Sequence, residues 1–418
     1  MRHHPSRKRL RGKGYLSRLG PGIVSGAADD DPSGIATYSQ IGAATGFRLV
    51  WGVVFLLPFA FAVQEACARL AIVTGQGLAG IIRTRLPRPV LYISVVLVAV
   101  ANTINIAADL ASMAAALNLI LPIPQMLGVV GFAVVILALE ILVPYHRYAK
   151  FLRWLCLSLV AYVAVLFVVQ VPWAEVGMNA VVPHFLWAKA DIALLIAMAG
   201  TTISPYLFFW QSAEEVEARN AEGVTGADRG HMRAMRGDVA AGMLATVVVA
   251  GAILVTAAAT LNANGIMNIQ TAEQAAQALA PIAGPFASLL FLIGIVGTGL
   301  LTVPVLAGAT SYALAETFGW SESLEKKPTQ ARAFYAIILL SILVGLALNL
   351  GGIDAIQFLI IAAIINGLTA PFLMAVIWWL ARDKKLMGRW ASRWWSQGLM
   401  ALAILAMTGL PVLWLLAP

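Results

Sequence analysis

The chain has 418 residues, of which 60% are hydrophobic and 11% are charged, and its formal net charge is +8. Soluble domains carry about 25% charged residues, so this composition excludes a soluble enzyme. A disordered chain, a coiled coil and a collagen are excluded as well, because no charge-rich tract, heptad or Gly-X-Y period is present. The composition therefore predicts an all-α integral membrane protein.

Eleven apolar segments are long enough to cross a bilayer, which takes about 20 residues. They cover approximately 21–45, 50–72, 91–119, 125–144, 152–172, 190–213, 238–261, 280–315, 332–350, 354–381 and 396–416. The eighth is too long for one straight crossing. We expect it to tilt, or to begin outside the membrane near Ala280 and Pro281.

The basic residues alternate between the loops in a way that fixes the orientation. With the N-terminus in the cytoplasm, all of the 28 Lys and Arg residues except Arg48 and Lys189 fall on cytoplasmic stretches. Basic residues are retained on that face of the membrane. We therefore expect the N-terminus inside, the C-terminus outside, and the inner plasma membrane as the location. The positive charge does not require a nucleic-acid partner.

Two of the predicted spans are interrupted near their middle. Asp31 and Pro32 lie about ten residues into the first span, and Ser204 and Pro205 interrupt the sixth. In each break a capping residue precedes a proline at the first position of a new half-helix. Inserting a carboxylate near the membrane midplane costs about 2.5–3.5 kcal/mol of free energy. Asp31 therefore needs a hydrogen-bonding or charged partner, a water-filled cavity or a functional role. A short re-entrant turn and an ordinary proline kink remain the simpler alternatives.

Interrupted helices at the head of each half of a chain indicate an inverted-repeat transporter. We therefore predict a LeuT-type 5+5 inverted repeat with helices 1 and 6 broken, plus one additional helix. The expected parts are a basic tail over 1–19, a first repeat over 20–175, a second repeat over 190–382, and a cytoplasmic loop with the eleventh span over 383–418. The unwound backbone at the breaks must line a water-filled cavity, where its carbonyls are available to a cation.

Other acids in the spans allow competing interpretations. Glu65 and Arg69 are four residues apart and predict a local ion pair. Asp109 is either a structural acid or a functional one. An aspartyl protease that uses Asp31 and Asp109 would lack a GxGD motif and leave the second break unexplained. An amino-acid carrier would present its substrate carboxylate to Asp31, which repels it, and a metal sensor would need a soluble effector domain. No phosphate-binding loop is present, so ATP is not expected as the energy source.

An ordered set of motifs resembles the natural resistance-associated macrophage protein (NRAMP) family of divalent metal transporters. The resemblance rests on GPG at 20–22, Asp31-Pro32, IVTG at 72–75, AADLA at 107–111, ALNL at 116–119 and GTTISP at 200–205. It extends over most of the chain and implies that the protein carries divalent cations by alternating access.

The departures from the family pattern affect the choice of ion. Gly34 replaces the asparagine of the DPGN motif, and Ser204 replaces a methionine. A thioether is a soft ligand that favours transition metals, and its loss leaves an oxygen site. The smaller Gly34 widens the pocket, which suits Mg²⁺, since this ion usually keeps several waters. The pattern is similar to the NRAMP-related magnesium transporters, a prokaryotic branch.

The resemblance also implies roles for individual residues. Asp31 would bind the ion or its waters, with the carbonyls of Ala28 and Thr201, the Ser204 hydroxyl, and, as weaker candidates, Gly34 and Asp30. Coupling or gating would involve Asp109, Asn102 and Tyr206, and Pro32 and Pro205 would mark the breaks.

Asn102 and Tyr206 stand where the family has an acid and a histidine, and neither side chain titrates near neutral pH. The expectation is therefore import of Mg²⁺ as a partly hydrated ion, with Mn²⁺ also accepted and with weak or no proton coupling. A proton-coupled Mn²⁺/Fe²⁺ transporter of the ordinary NRAMP type is the alternative, and an amino-acid carrier of the same fold is a more distant one. No cofactor besides the transported ion, and no obligatory protein partner, is expected.

Overall fold

The computed structural model describes residues 20–143, 157–223, 226–324 and 326–418. These residues are almost entirely helical, and they include no strand. The predicted basic tail and the basic stretch around 147–153 lie outside the described residues.

Eighteen helices, numbered here in chain order, make up the described fold. The first half contains α1 Pro21–Asp29, α2 Pro32–Thr45, α3 Val50–Thr74, α4 Leu78–Arg85, α5 Arg88–Asn118, α6 Gln125–Leu142, α7 Val160–Val165 and α8 Trp173–Val181. The second half contains α9 Lys189–Thr202, α10 Pro205–Glu222, α11 Arg229–Thr260, α12 Ala272–Ala276, α13 Ala280–Ala283, α14 Ala287–Phe318, α15 Arg332–Leu348, α16 Ala355–Arg382, α17 Lys384–Met387 and α18 Trp394–Leu416.

Nine helical stretches among the described residues are long and apolar enough to cross a membrane, and each overlaps a predicted span. The first predicted span is not among them, because its break divides it into helices of 9 and 14 residues. The fifth falls partly on residues 144–156, outside the described residues. Around Ala280 and Pro281, at the start of the eighth span, the chain forms short helical turns, and one long helix begins at Ala287.

The outer surface of the bundle is apolar, as a lipid environment requires. Large aliphatic side chains are exposed on the outer helices, among them Val96, Val134, Leu340 and Leu405. The eleventh predicted span, α18, packs on the outside of the bundle against α16, α9 and α3. Its peripheral place agrees with its interpretation as an addition to the repeats.

Close backbone contacts hold the broken helices in place. α1 and α2 pack along α11, and α9 packs along α16. A Cβ atom added to Gly26 in α1 would lie 2.6 Å from the carbonyl oxygen of Gly242. One added to Gly200 in α9 would lie 2.0 Å from the carbonyl oxygen of Ala363. Glycine is required at both positions because any side chain would collide with the neighbouring backbone.

The two breaks share a proline but differ in how the preceding residue is used. Asp31 is the N-cap of α2, and its side chain accepts a hydrogen bond from the Gly34 amide. Ser204 occupies the N-cap position of α10 but makes no side-chain cap. Its hydroxyl instead donates to the carbonyls of Gly200 (3.0 Å) and Thr201 (2.9 Å) at the end of α9. The prediction of a capping residue is therefore right for Asp31 and wrong for Ser204, because the serine satisfies carbonyls that the break has freed.

Candidate cation site

A buried carboxylate occupies the first break. Asp31 is 1% exposed, and its Oδ1 accepts hydrogen bonds from the Ser33 hydroxyl (2.6 Å) and the Gly34 amide (2.7 Å). Its Oδ2 has no hydrogen-bond partner among the described residues. Half of this carboxylate is thus fixed by the helix terminus, and the other half is available to a ligand.

The second break faces the first through hydroxyl groups. The Ser33 and Thr201 hydroxyls are 3.2 Å apart. A Cβ atom at Gly34 would lie 3.4 Å from the Thr201 Oγ1 and 3.6 Å from the Asp31 Oδ1, which is ordinary contact. The structure therefore brings Asp31, Gly34 and the Thr201 hydroxyl together, whereas the Thr201 carbonyl, the group that the resemblance implies as a ligand, accepts the hydrogen bond from Ser204. The Tyr38 hydroxyl is hydrogen-bonded to the Thr202 hydroxyl and adds a further link between the breaks.

The carbonyl of Ala28 is already in use. It accepts hydrogen bonds from the hydroxyls of Tyr206 (2.9 Å) and Thr302 (3.2 Å), which lie on α10 and α14. A carbonyl oxygen has two lone pairs, and both have a donor here. For Ala28 to bind a cation, at least one hydroxyl must turn away.

The proposed coupling residues occupy different surroundings. The Asn102 amide donates to the Leu306 carbonyl (3.0 Å) and the Thr310 hydroxyl (2.9 Å), so it faces α14. Asp109 is fully buried on α5, with no hydrogen-bond partner for either carboxylate oxygen in the described part of the chain. α5 packs against α2, the helix that Asp31 caps. Tyr206 contacts the first break, whereas Asn102 does not take part in these contacts.

Four residues make buried contacts that the sequence did not predict. Ser33 connects the breaks, Thr302 donates to the Ala28 carbonyl, and the Asn105 amide donates to the Asn366 Oδ1 at 3.0 Å between α5 and α16. A hydroxyl two residues after a capping aspartate is a usable signal for Ser33, and an amide inside an apolar span is one for Asn366. Thr302 gives no comparable signal.

The atoms at the breaks that could bind a cation are oxygens. Among residues 20–418, apart from the undescribed gaps, no three His, Cys, Asp or Glu side chains form a group that could hold a metal. The candidate ligands are instead a carboxylate, hydroxyls and backbone carbonyls, which suit hard cations. Asp30 is the half-buried C-cap of α1.

The fold and the site together define a membrane transporter with broken helices. A family model described as natural resistance-associated macrophage protein-like (Nramp) matches residues 22–417. The chain belongs to this family, which confirms the expectation of a transporter rather than an enzyme.

Curated relatives resemble the chain along most of its length. It is 28% identical over 386 residues to the divalent metal cation transporter MntH of Deinococcus radiodurans, covering 90% of this chain and 84% of the relative. It is 29% identical over 417 residues to the protein of the same name in Yersinia pestis (strain Pestoides F), covering 97% and 96%.

Solved structures confirm the fold. The Eremococcus coleocola manganese transporter, in complex with an aromatic bis-isothiourea compound, superposes with a TM-score of 0.75 at 19% identity, covering 96% of this chain and 87% of that one. MhsT in complex with L-phenylalanine gives a TM-score of 0.64 at 15% identity, covering 97% and 99%. At these identities the likeness concerns the fold alone, and it confirms the predicted LeuT-type architecture.

Proposed function

We propose that the chain imports divalent metal cations across the plasma membrane by alternating access, with Mg²⁺ as the main cargo and Mn²⁺ also accepted. The observation that carries this proposal is the oxygen-only surroundings of Asp31. Its Oδ2 has no hydrogen-bond partner in the described chain, and the contact between the two breaks beside it runs through the hydroxyls of Ser33 and Thr201. Magnesium is bound by carboxylate and water oxygens, and it usually retains several waters.

The space beside Gly34 supports a partly hydrated ion. The groups around an added Cβ atom there are oxygens of Thr201, Asp29 and Asp31 at 3.4–3.6 Å. Gly34 has no side chain where the family has an asparagine, and in this proposal a water of the ion's shell takes the place of that side chain. Ser204 provides no soft ligand, and its hydroxyl is engaged with carbonyls of α9.

Proton coupling is proposed to be weak or absent. Asn102 and Tyr206 are both engaged as hydrogen-bond donors, and neither side chain exchanges a proton readily near neutral pH. The membrane potential is a sufficient energy source, because two charges crossing 100 mV gain about 4–5 kcal/mol, about a thousandfold gradient. The proposed topology keeps the N-terminus inside and the C-terminus outside, with no obligatory protein partner.

The competing function is proton-coupled transport of Mn²⁺ or Fe²⁺. It is favoured by the relatives, which are named as divalent metal cation transporters, and by the matched manganese transporter. An amino-acid carrier of the same fold is the more distant alternative, and MhsT, which shares the fold, is in complex with L-phenylalanine. The buried carboxylate of Asp31 disfavours this cargo, because it would repel the carboxylate of an amino acid.

Reconstitution in liposomes tests the proposal. We expect entry of Mg²⁺ under an inside-negative potential, with no acidification reported by an internal pH dye. Asp31→Asn can retain the cap but removes the charge, and Asp31→Ala removes both, so both variants should lose uptake. Glu140→Gln, which neutralises a buried carboxylate on α6, is the control and should keep it. Entry of Mn²⁺ with acidification, and without entry or competition by Mg²⁺, would establish the competing function.

A further inference from the structure

Asp29 is a second buried carboxylate at the first break, and no contact in the fold explains why a carboxylate is buried there. It is the last residue of α1 and is 2% exposed. Neither of its carboxylate oxygens has a hydrogen-bond partner within the described ranges. A carboxylate is favourable at a helix N-terminus, but Asp29 lies at a C-terminus, where free carbonyls already carry partial negative charge.

No basic side chain among the described residues compensates this charge by an ion pair. The ion pairs formed there are Arg48 with Asp191, Arg69 and Arg236 with Glu65, and His231 with Asp228. The neighbouring charged groups along the chain are the carboxylates of Asp30 and Asp31, which have the same sign. Buried charges are normally paired or bound to a cation, because an unpaired one is strongly disfavoured.

Asp109, on a different helix, is likewise a buried carboxylate without hydrogen-bond partners in the described chain. It is fully buried on α5, which packs against α2. The excess of acceptors around the break is therefore not a peculiarity of the local turn. It indicates a region built to receive donors or positive charge from outside the protein.

The space beside Gly34 borders the side chain of Asp31 and the backbone of Asp29, the residue that carries the second carboxylate. A Cβ atom there would lie 3.6 Å from the Asp29 carbonyl oxygen and equally far from the Asp31 Oδ1. The Asp31 Oδ1 is saturated by two donors, whereas its Oδ2 and both Asp29 carboxylate oxygens are free to accept. Water molecules on a hydrated dication are donors, and they match this set of acceptors.

We propose that Asp29 is the second anionic group of the cation site and accepts hydrogen bonds from the water shell of the bound Mg²⁺. Asp31 then makes the closer contact with the ion, and the two carboxylates together balance its charge. This inference rests on the proposed function and adds a specificity residue to it. It predicts that Asp29 acts on the hydration shell, so its loss affects hydrated ions most.

Binding and stability measured on the same purified full-length protein test the inference. For Asp29→Asn we expect the Kd for Mg²⁺ to rise at least tenfold, with the Tm of the ion-free protein unchanged or higher and the Mg²⁺-induced rise in Tm reduced. Asp31→Asn should lose binding, and Glu140→Gln should keep the wild-type Kd. Hexaamminecobalt(III), whose ammine ligands do not exchange, should compete with Mg²⁺ for the wild-type protein. Its affinity for the Asp29→Asn variant should be at least tenfold lower than for the wild type.

Other outcomes would overturn the inference while leaving the proposed function intact. If Asp31→Asn abolishes Mg²⁺ binding but Asp29→Asn keeps the Kd within twofold, Asp29 is not part of the site. If the ion-free Tm falls in both Asp29→Asn and Asp29→Ser with the Kd unchanged, the residue is structural. If the wild type neither binds nor transports Mg²⁺ or Mn²⁺, the proposed function fails, and the role of Asp29 fails with it.

Discussion

The hydroxyl of Tyr206 donates a hydrogen bond to the carbonyl of Ala28 at 2.9 Å, joining the helix after the second break to the last turn before the first. This bond crosses the centre of the candidate site. A cation that binds the Ala28 carbonyl must therefore displace Tyr206 or Thr302, which shares the same acceptor.

Tyr206→Phe should retain transport and lose a modest amount of stability. The Ala28 carbonyl keeps the Thr302 donor, so no acceptor is left wholly unsatisfied and the loss should be about 1 kcal/mol. Thermal unfolding in detergent measures the stability, and liposome uptake from pH 6 to 8 measures the transport. A change in the pH dependence of uptake in Tyr206→Phe would show that this hydroxyl takes part in proton movement.

Restoring the family's ligands should shift the cargo toward Mn²⁺. In the double variant Gly34→Asn with Ser204→Met, a thioether enters the break and an amide fills the space beside Asp31. A Cβ atom added at Gly34 would make ordinary contacts, so the backbone there does not itself exclude a side chain. We expect the preference for Mn²⁺ over Mg²⁺ to rise about tenfold in competition uptake. Gly34→Ala is the matched control, and an unchanged preference in the double variant would remove these positions from ion selection.

The ion network around Glu65 should respond unequally to the loss of its two arginines. Arg69, 2% exposed, contacts the Glu65 carboxylate at 3.1 Å and also donates to the Trp390 carbonyl and the Ser392 hydroxyl. The sequence prediction of a Glu65–Arg69 ion pair is thereby confirmed. Arg236 also reaches Glu65, at 2.8 Å, but its side chain is 46% exposed.

Arg69→Ala should therefore lower the free energy of unfolding by about 3 kcal/mol, because it leaves a buried carboxylate poorly compensated. Arg236→Ala should cost less than about 1 kcal/mol, since solvent screens that pair. Chemical denaturation of the two variants in the same detergent compares them. Equal losses would contradict the assignment of Arg69 as the buried member.

Glu322 should make stability depend on pH. It lines a cavity of about 510 Å³ with Glu217, Glu316 and Lys326. Burial, and next the charge of Glu217, raise the pKa of Glu322 to about 7, although Lys326 and Arg83 lower it. The folded protein then holds this proton at a higher pH than the unfolded chain. The contribution of this proton to the free energy of unfolding is fully present below about pH 4.5 and is lost as the pH rises through about 7.

Glu322→Gln should accordingly be more stable than the wild type at pH 8, by about 1 kcal/mol after solvent screening, and about equal to it at pH 5. Melting curves at the two pH values measure the difference. A stability gain of the same size at both values would rule out titration of this carboxyl as the cause.

Local sequence signals account for the frame of the molecule. Apolar length predicts the spans, and Asp31-Pro32 and Ser204-Pro205 predict where two of them break. These features depend on neighbouring residues and on the cost of burying backbone, so they can be read from short windows of sequence.

The contacts that shape the site could not be predicted in the same way. Thr302 reaches Ala28 across 274 positions of the chain, and Ser33 reaches Thr201 across 168. No periodicity encodes such pairs. The orientation of the Ser204 hydroxyl, which donates backwards rather than capping α10, likewise depends on carbonyls that become free when α9 ends.

The glycines of the broken helices differ in how much change they tolerate. At Gly26 and Gly200 even a methyl group would collide with the backbone of a neighbouring helix, whereas at Gly34 it would make ordinary contacts. Mutational drift can therefore remodel the pocket at Gly34 while the helix seams stay unchanged. If Gly34 selects the ion as proposed, cargo preference can change without a new scaffold, because a substitution there does not disturb the glycines at which the helices meet.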